Sequence, residues 1–133
     1  MTDMTAMTAA GLYVGLNILI LLVLGVLVMV QRNKSGVGIG HGGNETLSRA
    51  SRAHANGAEW TPAALVGLVA AAALGAPVIA IHVLGVMLTA GRILHGWGLS
   101  QNAGRSVGRI LGTLLTLIVY LLLGAGLAIH ALI

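Results

Sequence analysis

Long apolar stretches, separated by short polar or glycine-rich segments, make up most of this sequence. A helix needs about 20 mainly apolar residues to cross the hydrocarbon core of a bilayer. Four such stretches predict transmembrane helices over approximately residues 12–30, 47–75, 78–97 and 105–131. The pattern therefore predicts an all-α fold, an integral membrane four-helix bundle that forms a single domain over residues 1–133.

The segments between the predicted helices have the composition of turns and loops. Residues 35–46 read SGVGIGHGGNET and predict a flexible connection exposed to solvent. They do not fit a phosphate-binding loop, because no strand is predicted before them and no Gly-Lys-Ser/Thr follows. Further along, Gly75-Ala76-Pro77 predicts a tight turn, and Pro62 predicts a kink within the second helix.

The composition supports a membrane protein. Hydrophobic residues make up 57% of the chain and charged residues only 8%, whereas soluble domains carry about a quarter charged residues. The chain has no cysteine, which excludes disulfides, thiolate nucleophiles and cysteine-bound metals. The first span is not expected to be a signal peptide, since Asp3 and no Lys or Arg precedes it.

All of the basic residues lie in or beside the first and third connections between the spans. The positive-inside rule makes that side of the membrane cytoplasmic, so both termini are predicted to face the opposite side. This placement also accounts for the formal net charge of +4 without a nucleic-acid partner. The basic residues are Arg32, Lys34, Arg49, Arg52, Arg92, Arg105 and Arg109.

A polar stripe runs along the start of the second helix. It consists of Arg49, Arg52, Asn56 and Glu59, spaced i, i+3, i+7 and i+10. That spacing places all members on one helical face. Ionisable groups at membrane depth are costly and by default mark a functional site. Arginine binds carboxylates, Glu59 suits an ammonium group and Asn56 an amide, so the stripe predicts a pocket for a small anion that also carries an ammonium group.

Two charged residues on neighbouring helices are expected at a similar depth. Glu59 lies 17 residues before Ala76 in the turn, and Arg92 lies 16 residues after it. An ion pair between the two is one expectation, and joint ligand binding is a second that is compatible with it. His95 lies one turn beyond Arg92 on the same face. His54 projects away from the stripe and could serve a neighbouring subunit or be an ordinary hydrogen-bonded residue.

No metal centre is predicted. Paired histidines on facing helices would allow a haem, but spacing within one helix supports no such pair. A di-iron site needs several inward-facing carboxylates, and the chain has three acidic residues in total. A Ser/His/Asp catalytic triad is not predicted either, because Asp3 is expected on the opposite side of the membrane from the polar stripe.

Small residues recur at every fourth position of several spans. Gly104, Gly108 and Gly112 form one such row at the start of the fourth span. Rows of this kind let membrane helices pack closely, within one chain or between subunits. Together with the lack of phenylalanine, they predict a homo-oligomer.

The polar stripe belongs to a longer motif, Arg-x-x-Arg-Ala-x-x-Asn-x-x-Glu-x-x-Pro, which here spans Arg49 to Pro62. This motif resembles the second helix of the MAPEG family (membrane-associated proteins in eicosanoid and glutathione metabolism). Val37 to Glu45 and Gly91 to Trp97 resemble its short bacterial branch, and the likeness covers essentially the whole chain. The resemblance implies a homotrimer in the bacterial inner membrane. In that membrane, the charge distribution places both termini in the periplasm. The resemblance also implies that glutathione, as co-substrate, binds between subunits near the cytoplasmic face, and that a lipophilic small molecule arrives from the membrane lipid.

The resemblance assigns glutathione-binding residues position by position. Arg52, Asn56 and Glu59 match glutathione-binding residues of the family's second helix. Arg32 matches an arginine that follows the first span. We place Arg92 at the same site because it is expected at the depth of the stripe.

Three further residues of the predicted glutathione site depart from the family pattern. Trp60 stands where a tyrosine usually follows the glutamate, His54 stands where glutamine is frequent, and His95 replaces a third-helix tyrosine. The sequence therefore retains the charged and amide residues of the site but lacks its tyrosine hydroxyl donors. This difference affects the expected catalysis more than the expected fold.

The resemblance implies a glutathione transferase or a glutathione-dependent peroxidase acting on lipophilic substrates. Arg105 is the predicted catalytic residue, since it matches the arginine that polarises the thiol, and Arg109 is the reserve candidate. The thiolate is the attacking form. Two other interpretations stay open: a proton-coupled efflux protein in which Glu59 exchanges protons for a cation, and a structural subunit without a ligand. The arginines around Glu59 would repel cations, which disfavours efflux.

Overall fold

The helices of the bundle follow the predicted spans closely. The computed structural model describes residues 5–133, so Asp3 falls outside the described residues. Within that range the chain forms four α-helices and no strand: α1 Ala6–Ser35, α2 Glu45–Ala73, α3 Val78–Gln101 and α4 Val107–Leu132. By length and composition, α1, α3 and α4 are long and apolar enough to cross a membrane. The predicted all-α membrane bundle is confirmed.

The second helix is as long as the others but less apolar. It has 29 residues, and the polar stripe occupies its first half. Helix α2 continues as one α-helix through Pro62. At this length α2 matches the neighbouring helices. Its first half therefore places polar groups at the same depth as the apolar segments of those helices.

The ends of the helices are set by caps that apolar patterning does not reveal. The Thr5 side chain accepts from the Thr8 N–H and starts α1 before the predicted span, and α1 ends at Gly36 with φ 68°. The Ser106 side chain accepts from the Arg109 N–H and starts α4 at Val107. Arg105 therefore lies in the connection before α4, not at the opening of the helix as expected.

The turn between α2 and α3 has the hydrogen bonds of a Schellman motif. The Gly75 N–H donates to the Ala72 carbonyl at 3.2 Å, and the Ala76 N–H donates to the Ala71 carbonyl at 3.0 Å. Gly75 has φ 86°, a conformation that favours glycine. Pro77 then precedes the first residue of α3, and the predicted tight turn is confirmed.

The four helices pack around two apolar clusters of unequal size. Helices α2 and α3 contact each other and both remaining helices, whereas α1 and α4 do not meet within residues 5–133. The larger cluster lies toward the α2–α3 turn and includes Tyr13, Leu68, Leu88 and Val119. The smaller one contains Leu24, Ala53 and Leu99. We call the end of the bundle with the smaller cluster, where the α1–α2 and α3–α4 connections lie, the basic end.

Candidate functional site

A cavity of about 260 Å³ opens at the basic end between α2, α3 and the α3–α4 connection. We call it the polar cavity. Its lining brings together side chains from the stripe, from α3 and from α4: Ser48, Arg49, Arg52, Asn56, His95, Leu99, Ala103 and Arg109. The structure thus gathers the predicted residues Arg52, Asn56 and His95 around one volume, with Arg49 and the reserve candidate Arg109 beside them.

The outer edge of the stripe carries an ion pair within α2. The Arg52 guanidinium lies 3.8 Å from the Glu59 carboxylate, and their side chains are 61% and 54% exposed. Arginine and glutamate two turns apart lie on the same helical face. The protomer therefore presents a cation and an anion side by side on its surface.

Arg92 is buried in the centre of the bundle, with 4% exposure. Its Nη1 donates to Asn56 Oδ1 at 2.9 Å, and its Nη2 donates to Thr116 Oγ1 at 2.6 Å and more weakly to the Gly112 carbonyl at 3.4 Å. The expected Arg92–Glu59 ion pair is therefore wrong. The predicted depth of Arg92 is correct to within about one helical turn. Arg92 contacts Asn56, which lies one turn nearer the basic end than Glu59. Helix α4 supplies its other acceptors.

The close approach of α3 and α4 makes these contacts of Arg92 possible. A Cβ added at Gly112 would lie 2.5 Å from the Gly91 carbonyl oxygen and 2.7 Å from the His95 nitrogen. Only glycine fits between backbones at that separation. The Gly112 carbonyl and the Thr116 side chain, one turn along α4, are thereby brought to the guanidinium of Arg92.

A smaller cavity of about 160 Å³ lies next to Arg92, and Asn56 and Trp60 from α2 line it with residues of α4. The Trp60 ring meets the Tyr120 ring edge-on, with 5.2 Å between centroids. The Tyr120 hydroxyl donates to the Trp60 carbonyl at 2.6 Å. Tyr120 is thus a hydroxyl near the predicted site that sequence reasoning missed, because it stands in an apolar helix far from every motif.

The two arginines near the start of α4 have different surroundings. Both line a third cavity, of about 280 Å³, together with His95. Arg109 donates from Nη1 to the carbonyls of Ala103 and Gly104, at 2.8 Å and 2.5 Å, and so holds the α3–α4 connection. None of the hydrogen bonds within residues 5–133 uses the side chain of Arg105. The guanidinium of Arg105 is therefore free of hydrogen bonds within the described residues, whereas that of Arg109 uses Nη1.

Two of the predicted site residues lie away from the polar cavity of the same protomer. Nη1 of Arg32 donates to the carbonyls of Val37, Gly38 and Gly40 at 3.0–3.2 Å, and so holds the glycine-rich connection in place. His54 faces α1, since a Cβ added at Gly25 would lie 3.5 Å from its Nε2. The structure does not bring Arg32 or His54 to the other predicted residues within one chain.

The described residues also bear on metal binding. Between residues 5 and 133, no group of three or more His, Cys, Asp or Glu side chains is placed so that it would hold a metal ion. The polar side chains of the basic end are mainly N–H donors. Such a set favours an anionic organic ligand.

Comparisons with known proteins identify one family and two similar bacterial proteins. The sequence model of the MAPEG family matches residues 10–129 of the chain. Inner membrane protein YecN of Escherichia coli K12 is 34% identical over 96 residues, which are 72% of this chain and 73% of that protein. YecN of Escherichia coli O6:H1 shows the same identity and coverage. No solved structure matches the chain.

Proposed function

Because this chain belongs to the MAPEG family, we propose that it binds glutathione within the membrane and uses it as a glutathione transferase or glutathione-dependent peroxidase on lipophilic substrates. The observation that carries the proposal is the polar cavity, where Arg49, Arg52, Arg109 and Asn56 converge from two helices. Glutathione carries two carboxylates and two amide carbonyls. These are the acceptor groups that guanidinium and amide donors bind.

The Arg52–Glu59 pair suits the amino-acid end of glutathione. That end carries a carboxylate and an ammonium group on one carbon atom. The two side chains are 3.8 Å apart and more than half exposed, so each retains free hydrogen-bonding capacity. Arg52 takes the carboxylate and Glu59 the ammonium group. The same pairing counts against proton-coupled efflux, because Glu59 already has a cation beside it.

The exposure of this pair supports an oligomer, and family membership supports a homotrimer. A guanidinium and a carboxylate on the outer face of a membrane helix are costly unless protein or water covers them. We place a second copy of the chain over α2, so that glutathione lies between subunits near the cytoplasmic face. In this arrangement, Arg32 and His54 act on a site of the neighbouring protomer. The protein lies in the inner membrane with both termini in the periplasm, because its basic residues are at the other end.

The chemistry follows from the thiol. Arg105 stabilises the thiolate, and an adjacent positive charge favours the anionic form. In the transferase reaction the thiolate forms a C–S bond to an electrophilic carbon while the bond from that carbon to its leaving group breaks. The proton released by the thiol passes to solvent or to the departing group. In the peroxidase reaction two glutathione molecules reduce a lipid hydroperoxide to the alcohol and water, and they become the disulfide. His95 and Arg109 line the same 280 Å³ cavity as Arg105.

Calorimetric titration of the detergent-solubilised protein tests the proposal. Reduced glutathione is expected to bind, and the ultraviolet band of the thiolate is expected to appear at neutral pH. S-methylglutathione is the matched control, since it keeps both carboxylates and lacks the ionisable thiol; it should bind without the band. Failure of both ligands to bind would exclude a glutathione site. Binding without a thiolate band would retain the site and exclude thiol activation.

A further inference from the structure

The buried guanidinium of Arg92 has no acidic partner among residues 5–133. It faces neutral acceptors, and one of them is Asn56 Oδ1, 2.9 Å from Nη1. An arginine side chain has five N–H donors and no acceptor. Asn56 must therefore present its oxygen to Arg92, and its amide cannot take the opposite orientation while Arg92 is in place.

This constraint determines what Asn56 offers to its other neighbours. With Oδ1 held by Arg92, the Nδ2 group and its two N–H donors are directed elsewhere. Asn56 lines both the polar cavity and the 160 Å³ cavity beside Trp60. None of the hydrogen bonds within the described residues uses Nδ2. Nδ2 is also not one of the solvent-inaccessible polar atoms that lack a hydrogen-bond partner. A free donor of Asn56 therefore faces open volume.

We infer that Arg92 is a positioning residue that fixes the Asn56 amide, so that the site selects a carbonyl or carboxylate oxygen of the ligand at this point and rejects an N–H group. The inference rests on the proposed function, in which the ligand is a peptide that carries groups of both kinds. Arg49 and Arg52 also present only donors to the polar cavity. By holding the Asn56 oxygen, Arg92 makes Asn56 a hydrogen-bond donor toward the cavity as well. Without this contact, the Asn56 amide could adopt either orientation.

The substitution Asn56→Asp tests this donor directly, because it keeps the shape of the side chain and replaces Nδ2 with an acceptor. Its remaining oxygen still accepts from Arg92, so the variant is expected to fold. Glutathione affinity should fall by at least about tenfold, because two acceptors would face each other without a proton between them. Unchanged or tighter binding by Asn56→Asp would overturn the inference, since it would mean that the ligand donates to this position.

A double-mutant cycle tests the role of Arg92 in the same assay. Arg92→Met is expected to weaken glutathione binding, and this effect should largely disappear when Asn56 is already alanine, because Arg92 acts through Asn56. Thr116→Val is the matched control. It removes another hydrogen bond of Arg92 and should lower stability while leaving affinity within about threefold. An equal effect of Arg92→Met with and without Asn56 would contradict the positioning role.

Thermal unfolding in detergent tests the same contact without a ligand. Asn56→Asp should raise the unfolding temperature when Arg92 is present, because the new carboxylate partners a buried cation. In the Arg92→Met background the same substitution should lower it, because the carboxylate then has no partner. Equal shifts in the two backgrounds would show that Arg92 does not hold the Asn56 oxygen. If the unaltered protein bound no glutathione, only the proposed ligand would fail, and this measurement would still decide the contact.

Discussion

The phenol ring of Tyr13 occupies the space that a side chain at Gly85 would need. A Cβ built on Gly85 would fall among the ring atoms of Tyr13. The same helix also holds the ring by a hydrogen bond, since the Tyr13 hydroxyl and His82 Nδ1 are 2.8 Å apart. Helices α1 and α3 are therefore joined at this level by an aromatic ring seated on a glycine.

We expect Gly85→Ala to destabilise the bundle by about 1–3 kcal/mol, because the methyl group forces the Tyr13 ring out of its position. Thermal unfolding in detergent measures the change. Gly15→Ala is the control, since no atom lies within 4 Å of a Cβ at that position. It should be neutral or stabilising by up to about 1 kcal/mol through helix propensity. Equal effects of the two substitutions would contradict this packing.

Both members of the Arg52–Glu59 pair should be required for glutathione binding. Arg52→Ala and Glu59→Ala are each expected to lower the affinity by at least about tenfold, because each removes a charged hydrogen-bonding partner of the ligand. Glu45→Ala is a matched control on the same helix, since its carboxylate is 89% exposed and pairs only loosely with Arg49 at 3.7 Å. Its effect should stay within about twofold. Normal glutathione binding by intact oligomers of both test variants would remove the pair from the site.

Arg105 and Arg109 should differ in what their loss changes. Arg105→Ala is expected to abolish the thiolate band at neutral pH, because the neighbouring guanidinium of Arg109 is held by carbonyls of the α3–α4 connection. The substitution should leave S-methylglutathione affinity within about threefold. Arg109→Ala removes the contacts to Ala103 and Gly104. It should weaken both ligands to a similar degree and lower the unfolding temperature. Loss of the thiolate band in Arg109→Ala alone would assign thiol activation to Arg109.

The Tyr120 hydroxyl should contribute to stability and not to ligand affinity. Tyr120→Phe keeps the ring against Trp60 and removes the hydrogen bond to the Trp60 carbonyl. A loss of about 0.5–1.5 kcal/mol is expected in detergent unfolding. Glutathione affinity and the thiolate band should be unchanged. A large loss of the thiolate band would instead make Tyr120 the hydroxyl donor that the family's tyrosines supply elsewhere.

The membrane orientation can be tested independently of the site. Both termini are expected in the periplasm, because the Lys and Arg residues other than the central Arg92 lie toward the other end of the bundle. A reporter enzyme that is active only in the periplasm, fused after Ile133, should be active in intact bacteria. Activity of a cytoplasmic reporter at the same position would reverse the topology.

The periodic pattern of the sequence predicts the helices of this protein better than it predicts the contacts between side chains. Apolar length placed all four helices, and the spacing of the stripe placed Arg52 and Asn56 on one face of α2, where the structure has them lining one cavity. The start of α4 was misplaced because it depends on the side chain of one residue, Ser106. The predicted partner of Arg92 is wrong, because the partner of a long side chain can be identified only when the relative position of the two helices is known to within one turn.

Arg32 shows a second limit of the sequence. Its position after the first span predicts a ligand contact, and that contact remains a prediction. Within one protomer, Nη1 of Arg32 donates to three carbonyls of the following connection. Glycines at positions 36 and 40 of this connection adopt positive φ, a conformation that favours glycine. Composition identifies such a segment as flexible and gives no indication that an arginine holds it.

The glycines between α3 and α4 also close one route by which the lipophilic substrate of the proposed reaction could reach the site. In addition to the contact of Gly112 with Gly91, a Cβ at Gly108 would lie 2.9 Å from the Leu94 carbonyl, and one at Gly98 would lie 2.7 Å from Ser106 Oγ. The seam between these helices is therefore too narrow for an acyl chain at three successive levels. Under the proposed function, a bilayer molecule that reaches the cavity of Arg105 by way of α4 would cross the outer surface of that helix, where Ile110 and Leu114 are half exposed and border the cavity.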